Sequence, residues 1–440
     1  MTRWLTGIWL ILIVAAYLIL GYRYATETPA WQVPDEPAHY NYIRQVAEDR
    51  RLPVIEPGDW NTDYQNLLTS TGFHPEHLAN LDQIEYEDHQ PPLYYLLAAP
   101  IYNLTDGDLT VMRMFSVFLG LGVVLGIFAV VYRVFPAQPW LALATAAFTA
   151  FLPQNLSMIS GVNNDVLAQL IVALTFLATV HYLKNPSWQL ACGMGVLVGS
   201  AFLTKSTVYF LAGIGGISIL LVRPLRWQHL AAYLLPALLL GSIWWGHSLD
   251  VYGGTDFLGL QRHDEVAAGQ LQTRDYIYGA SQLNGDVGQY WKNFAYTTFH
   301  SFWGQFGWMG VPMPTRLYRI LLLISVILGV SCAVYLWMQR PRFTDLQRKM
   351  LLLFALQLCF VIAAYFLYNI QFVQFQGRYL YPALLPFGLI AALGLSAWTN
   401  LLPERYPLLR WLPVLAMFAL AGLAWYALGT YLIPNLPNWN

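Results

Sequence analysis

Charge is what this chain has least of. Only 11% of its 440 residues are Asp, Glu, Lys or Arg, roughly half the share found in soluble domains. A chain this poor in charge and 57% hydrophobic does not have the polar groups to wet its own surface, which excludes an ordinary soluble enzyme. The charges nearly cancel, to a formal net charge of -1, and no basic stripe points to nucleic acid. Cysteine is scarce as well. Cys192, Cys332 and Cys359 all fall inside apolar runs and read as small buried hydrophobes, not as a disulfide framework or a metal site. No stretch of soluble composition marks a second domain, so 1–440 reads as a single unit.

What the chain has instead is apolar runs of about 18 residues or more, the length a membrane-crossing helix needs. The first, Trp4 to Tyr22, follows Met1-Thr2-Arg3. It is longer than a signal-peptide core and no small-x-small cleavage site follows it, so it reads as an uncleaved span. Further spans are expected near 110–132, 138–157, 166–183, 188–204, 207–222, 229–248, 317–338, 350–368, 379–398 and 411–430. The expectation is an all-α polytopic membrane protein with about eleven spans. The run 91–104 is apolar but short and bounded by prolines, as re-entrant or interfacial helices are.

The basic residues decide between the two topologies this leaves. With 91–104 not crossing, one side collects Arg3, Arg133, Lys184, Arg223, Arg226, Arg340, Arg342, Arg348, Lys349, Arg405 and Arg410, all in short connections or at the N-terminus. The short loops of the other side hold only Lys205 and Arg378, with Arg316 and Arg319 at a span's entry. Lys and Arg in short loops mark the cytoplasm. The N-terminus is therefore expected in the cytoplasm of a plasma (inner) membrane protein. The long loops 23–109, with juxtamembrane helices, and 249–316 are expected outside, together with the C-terminal residues 435–440.

The densest polar signal follows the first span: Val33-Pro34-Asp35-Glu36-Pro37-Ala38-His39-Tyr40-Asn41-Tyr42-Ile43-Arg44. Pro37 suits the first position of a helix, where its missing N–H is not needed, and carboxylates are stabilised at such an end. Ile43, Val46 and Ala47 give the helix an apolar face against Arg44, Glu48 and Asp49, so it should lie along the membrane surface. Asp35 and Glu36 either cap this helix or do chemistry. On the same expected face lie Glu85-Tyr86-Glu87-Asp88-His89-Gln90, Asn163-Asn164-Asp165, Lys205 and Arg378. Ionisable groups at the membrane are costly and mark function by default.

Paired carboxylates beside isolated cations suit a reaction on an anionic lipid such as a lipid-linked phosphosugar. The phosphate leaving group needs cations, Arg378 and Lys205, to hold its charge. The attacking hydroxyl needs a base, and a carboxylate such as Asp35 is the usual choice in sugar chemistry. Each residue has a plainer alternative. Asp165 caps the span after it, Lys205 and Arg378 anchor helix ends at the interface, and His39 and His89 make ordinary polar contacts. His74, Glu76 and His77 match no ligand motif, and the aromatics from Phe302 to Trp308 form an interfacial belt or, less simply, a sugar-stacking surface.

Pro34-Asp35-Glu36-Pro37-Ala38-His39-Tyr40-Asn41-Tyr42, His89-Gln90-Pro91-Pro92-Leu93-Tyr94-Tyr95, Ser160 to Asp165, Lys205 and Gln376-Gly377-Arg378-Tyr379 occur in the order found in the GT-C superfamily. The chain resembles these integral-membrane glycosyltransferases over roughly residues 1–400, above all the branch of protein O-mannosyltransferases and aminoarabinose lipid A transferases. The resemblance implies inverting transfer from a polyprenyl-phosphate sugar to an acceptor glycan, lipid or protein at the outer face of the bilayer. It implies Asp35 as the catalytic acid residue with Glu36 its neighbour, Asp165 as the second acidic motif, and Arg378 at the donor phosphate. Asn164, His89 and Asp88 are grouped with Asp165 as substrate contacts. The cofactor stays open between a divalent cation, Mg or Mn, with Asp35, Asp165 and His89 as the ligands weighed, and none at all. No sizeable soluble domain follows the last apolar run, which argues against a peptide acceptor read by one. The competing class is a polyprenyl-lipid transporter or flippase, but the internal repeat common in transporters is absent and the acidic pair lies in an outer loop, not at midplane.

Overall fold

The computed structural model describes residues 2–267, 269–279, 282–401 and 407–437. Arg405 and residues 438–440, which figured in the topology expectation, lie outside the described residues. The chain is helical nearly throughout. Its helices are α1 (Thr2–Glu27), α2 (Glu36–Asp49), α3 (Thr62–Ser70), α4 (Leu93–Leu104), α5 (Leu109–Val134), α6 (Pro139–Phe151), α7 (Pro153–Ile159), α8 (Asp165–Lys184), α9 (Trp188–Phe202), α10 (Leu211–Leu220) and α11 (Trp227–Tyr252). Then follow α12 (Leu260–Val266), α13 (Thr273–Tyr278), α14 (Val287–Trp303), α15 (Thr315–Gln339), α16 (Asp345–Gln371), α17 (Leu384–Thr399) and α18 (Leu412–Ala427). Strand pairing within named strands is confined, among the described residues, to Gln305–Phe306 against Val311–Pro312.

Among the described residues, eight helical stretches are long and apolar enough to cross a membrane. They contain α1, α5, α8, α11, α15, α16, α17 and α18. The expected count of eleven is not reproduced. α6 and α7 qualify only as a pair, bent by 64°, because Pro153 cannot continue the helix. α9 and α10 fall in apolar runs that read as spans but are shorter helices. Helices dominate because every backbone polar group inside a bilayer has to be paired within its own segment.

The bundle core is built on α6, whose every residue from Pro139 to Phe151 is buried. The outer helices show their apolar faces. On α15, Ile320, Leu323, Val326, Val330 and Trp337 are all exposed, as a lipid-facing surface requires. α9 packs on α11 at very close range through Gly195 and Gly199. A Cβ at Gly195 would stand 2.1 Å from the Tyr233 carbonyl oxygen. Small residues four apart permit this approach of helix backbones in membranes.

Between α1 and α5 the polar segment folds against one end of the bundle. The amphipathic α2 packs on α4, where the Tyr42 and Tyr95 rings stack with centroids 3.5 Å apart. At 12 residues, α4 rises about 18 Å, less than a hydrocarbon core of about 30 Å.

Candidate functional site

The turn that feeds α2 is unusual. Asp35 adopts a left-handed backbone, φ 66° and ψ −2°, a region that non-glycine residues enter at a cost and that Asp tolerates better than most. Its side chain makes no capping hydrogen bond, so capping does not account for it. Instead its carboxylate turns away from the helix. Tyr86 donates its hydroxyl to Oδ1 at 2.9 Å, and Arg378 donates Nη2 to Oδ2 at 2.5 Å. Arg378 comes from the turn Gly377–Ala383, 343 residues further along the chain. That turn fits because Gly377 lies against α14, where a Cβ would meet the backbone nitrogen of Phe302 at 2.4 Å.

Glu36, one residue on, was expected beside Asp35 in the catalytic site but goes the other way, into the core. It is 0% exposed and forms a bidentate pair with Arg113 of α5, with Nε to Oε1 at 2.7 Å and Nη2 to Oε2 at 2.6 Å. The amides of Trp31 and Val162 also donate to it. Arg113 spends its remaining donors on the carbonyls of Ala25, Thr28 and Pro29 at the end of α1. This pair ties α1, α2, α5 and the turn before α8 together, and it does not line the cavity. Arg113 drew no notice in the sequence. An Arg in the first turns of an apolar span, with a spare carboxylate upstream, is the signal that could have found it.

A second pair stands across the cavity. The 64° bend carries α7 into the turn 160–164, which starts α8 at Asp165. Lys205 holds Nζ 2.6 Å from Asp165 Oδ1 and donates to Asn164 Oδ1 at 2.8 Å. Asn164, fully buried, donates weakly to Gln90 and to the Tyr95 hydroxyl. That hydroxyl lies 2.9 Å from His39 Nδ1.

Asp35, Tyr86, Glu87, His89, Gln90, Asp165, Lys205, His263, Arg378 and Tyr379 line one cavity of about 490 Å³. Burial alone would raise the Asp35 carboxyl. The Arg378 guanidinium beside it and the hydrogen bonds from Arg378 and Tyr86 outweigh burial and hold it below the usual carboxylate range. Burial, reinforced by the nearby Asp35 charge, pushes Glu87 up to about 7. Burial and then the Lys205 charge push the His39 imidazole down to about 3. His89 is also held well below its ordinary value, by burial and His263; the two rings lie 4.3 Å apart. The site thus holds one ionised carboxylate locked to a guanidinium, with neutral imidazoles nearby.

Asp88 does not line the cavity either. It was grouped with the substrate contacts, but it faces away from the cavity, with Gln45 of α2 donating to Oδ2 at 2.8 Å. Residues 85–90 run through successive tight turns, with the Asp88 amide on the Glu85 carbonyl and the Gln90 amide on the Glu87 carbonyl, so Glu85 and Asp88, three apart, stay out of the cavity that Tyr86, Glu87, His89 and Gln90 line. Asp35, Asp165 and His89 were weighed as metal ligands. Among the described residues these three do not converge on a common point, and each carboxylate is already held by a cation. Carboxylates that do converge are Asp59, Glu85 and Asp88, on the far side of the 84–90 segment.

Residues 41–386 match the family described as "Predicted membrane protein (DUF2142)". The chain belongs to the DUF2142 family. No curated protein matches the sequence. Among solved structures, this DUF2142 chain is similar to ArnT from Cupriavidus metallidurans bound to undecaprenyl phosphate, at 15% identity and a TM-score of 0.52, over 98% of this chain and 67% of that one. It is also similar to the Archaeoglobus fulgidus oligosaccharyltransferase tethered with an acceptor peptide, at 13% identity and a TM-score of 0.51, over 97% of this chain and 55% of that one. The same enzyme in complex with Zn and sulfate gives a TM-score of 0.50 at 13% identity, over 97% of this chain and 54% of that one. The DUF2142 chain thus has the GT-C fold, as its motif order suggested, and spans about two thirds and about half of these two enzymes.

Proposed function

We propose that this protein is a glycosyltransferase that moves a sugar from a polyprenyl-phosphate donor to an acceptor glycan, lipid or protein on the extracytoplasmic face of the inner membrane. The observation that carries the reading is the meeting of Asp35, Arg378, Asp165 and Lys205, four residues far apart in the chain, in one cavity of about 490 Å³. The GT-C fold and a similar structure with undecaprenyl phosphate bound support a lipid-linked donor. The loops 23–109 and 249–316 then face the exterior.

In this reaction the acceptor hydroxyl attacks the anomeric carbon, the bond from that carbon to the phosphate oxygen breaks, and the hydroxyl proton passes to Asp35. The configuration inverts. Asp35 is ionised at neutral pH and so ready to accept, and Tyr86 and Arg378 fix its orientation. Arg378 takes a broader role than expected. One nitrogen holds Asp35, while Nε is buried and has no partner, leaving a donor for the leaving phosphate. One planar guanidinium would then set the distance between base and leaving group. Lys205 adds charge for the phosphate by releasing Asp165, which stays as a contact to the substrate. The donor set in the cavity does not fit a metal ion, so no step uses one.

The test is incubation of purified protein in detergent with a panel of radiolabelled polyprenyl-phosphate sugars and candidate acceptors. The reading expects labelled product of inverted configuration and free polyprenyl phosphate. Donor binding that depends on Arg378 without turnover on any donor would favour the lipid transporter and end this reading.

A further inference from the structure

The back of the 84–90 segment carries a feature that the transfer reaction does not use. Asp59, from the stretch before α3, meets Glu85 and Asp88, and one carboxylate oxygen from each lies within 4.8 Å of the others. Asp59 and Glu85 are half-buried, while Asp88 is 1% exposed. The partners present do not neutralise the three. Asp59 Oδ2 accepts from the Glu56 amide at 2.6 Å. Arg44 brings one positive charge, its Nη2 3.5 Å from Glu85 Oε1 and also donating to the Asp82 carbonyl, and Gln45 offers Asp88 one neutral amide. The second oxygen of Asp88, Oδ1, is buried and has no hydrogen-bond partner at all. A carboxylate oxygen sealed from water without a donor is costly, and a cation would remove that cost.

We propose that Asp59, Glu85 and Asp88 bind a hard divalent cation of the calcium class, behind the cavity and outside the transfer chemistry. Three oxygens and no nitrogen or sulfur select a hard ion. Three protein carboxylates suit calcium, which takes about six to eight oxygens in flexible geometry, better than magnesium, which keeps several of its waters and is usually held by one or two carboxylates. Water reaches the two half-buried carboxylates to complete the shell. The ion would brace the segment whose other side sends Tyr86 to Asp35 and places Glu87, His89 and Gln90 in the cavity.

The experiment reads binding and stability, not transfer, so its failure is separate from that of the glycosyltransferase reading. Full-length protein in detergent is stripped with chelator and titrated with calcium chloride, with magnesium and manganese chloride alongside, by calorimetry and by thermal unfolding. One calcium per chain is expected, with Kd in the range of about 10⁻⁴–10⁻³ M and a rise in the unfolding temperature. Asp88→Asn and Asp59→Asn should each weaken binding at least about tenfold, the loss of one coordinating charge. Asp59 is half-buried in a loop, so its variant folds even where Asp88→Asn does not. Asp35→Asn and Asp165→Asn should keep the calcium response. No binding by about 10 mM calcium, binding unchanged in Asp59→Asn, or binding lost in Asp165→Asn would each overturn the proposal, the last by moving the ion into the cavity.

Discussion

Asp35 and Glu36 are chemically near twins joined by one peptide bond, and the fold sends them to different work. Asp35 enters the cavity and Glu36 enters the core, so their substitutions should fail differently. Asp35→Asn keeps the shape and fold but removes the base, and turnover of labelled donor should drop about 10²–10⁴-fold with the unfolding temperature nearly unchanged. Glu36→Gln strands the Arg113 charge inside the bundle, at a cost of about 3–5 kcal/mol. That loss should appear first as poor folding and low yield. An Asp35→Asn protein keeping more than about a third of wild-type turnover would remove Asp35 from the chemistry.

His39 allows a second test by pH. Its folded pKa is about 3 against an ordinary 6.5, so the unfolded chain takes up a proton that the folded chain refuses. The stability this neutral imidazole contributes is fully present above about pH 6.5 and is lost as pH falls toward 3, at up to about 1.4 kcal/mol per unit. His39→Gln can still accept the Tyr95 hydroxyl. Its unfolding temperature should fall less steeply than wild type between pH 6.5 and 4. Parallel slopes would mean that another group sets the acid sensitivity.

At the scale of elements, the sequence was most legible where length and polarity speak alone. All the long apolar runs became helices, and Pro34-Asp35-Glu36-Pro37 announced a helix start that α2 supplies at Glu36. What could not be read was which way side chains turn at breaks. The left-handed backbone of Asp35 and the turns along 84–90 depend on packing against distant segments, and the direction of the bend at Pro153 does not show in hydropathy. Through them Arg378 met Asp35, Asp88 left the cavity, and Arg113 claimed Glu36. The division of 188–222 into two helices was read from hydropathy, but α9 and α10 are shorter than the expected spans 188–204 and 207–222. The topology rests on α4. If this 12-residue helix lies at the surface without crossing, its two flanks share one side. Asp63 and Asn103 are both exposed. With Cys192, Cys332 and Cys359 replaced by Ser, Asp63→Cys and Asn103→Cys should both react with an impermeant maleimide added outside intact cells. Reaction of position 103 only after the membrane is opened would reverse the orientation of every later loop.

At the scale of the whole molecule, the proposed function requires that a lipid-linked donor can enter from the side. The cavity is walled in part by Val361, Ala364, Tyr365 and Tyr368 of α16, while Phe360, Phe366, Leu367 and Ile370 of the same helix stay exposed on the bundle's apolar surface. Ala364 does both, lining the cavity and remaining exposed. The cavity wall thus reaches the exposed apolar surface of the bundle at α16, and under the proposed function this is the side that faces the bilayer. A phosphate could then reach the cations while its chain stayed in lipid, which avoids carrying a long apolar tail through water. An indole placed at this mouth should block it without touching the polar end. Ala364→Trp is expected to fold normally, since an exposed apolar surface accommodates an aromatic ring, and to bind a long-chain polyprenyl phosphate at least about tenfold more weakly, a cost of about 1.4 kcal/mol. Binding of a short, water-soluble phosphate ester to the same variant should be unchanged, because that ligand enters from the polar face. Equal losses for both ligands would place the obstruction in the site itself, and equal affinity for the long-chain lipid would show that the donor enters elsewhere.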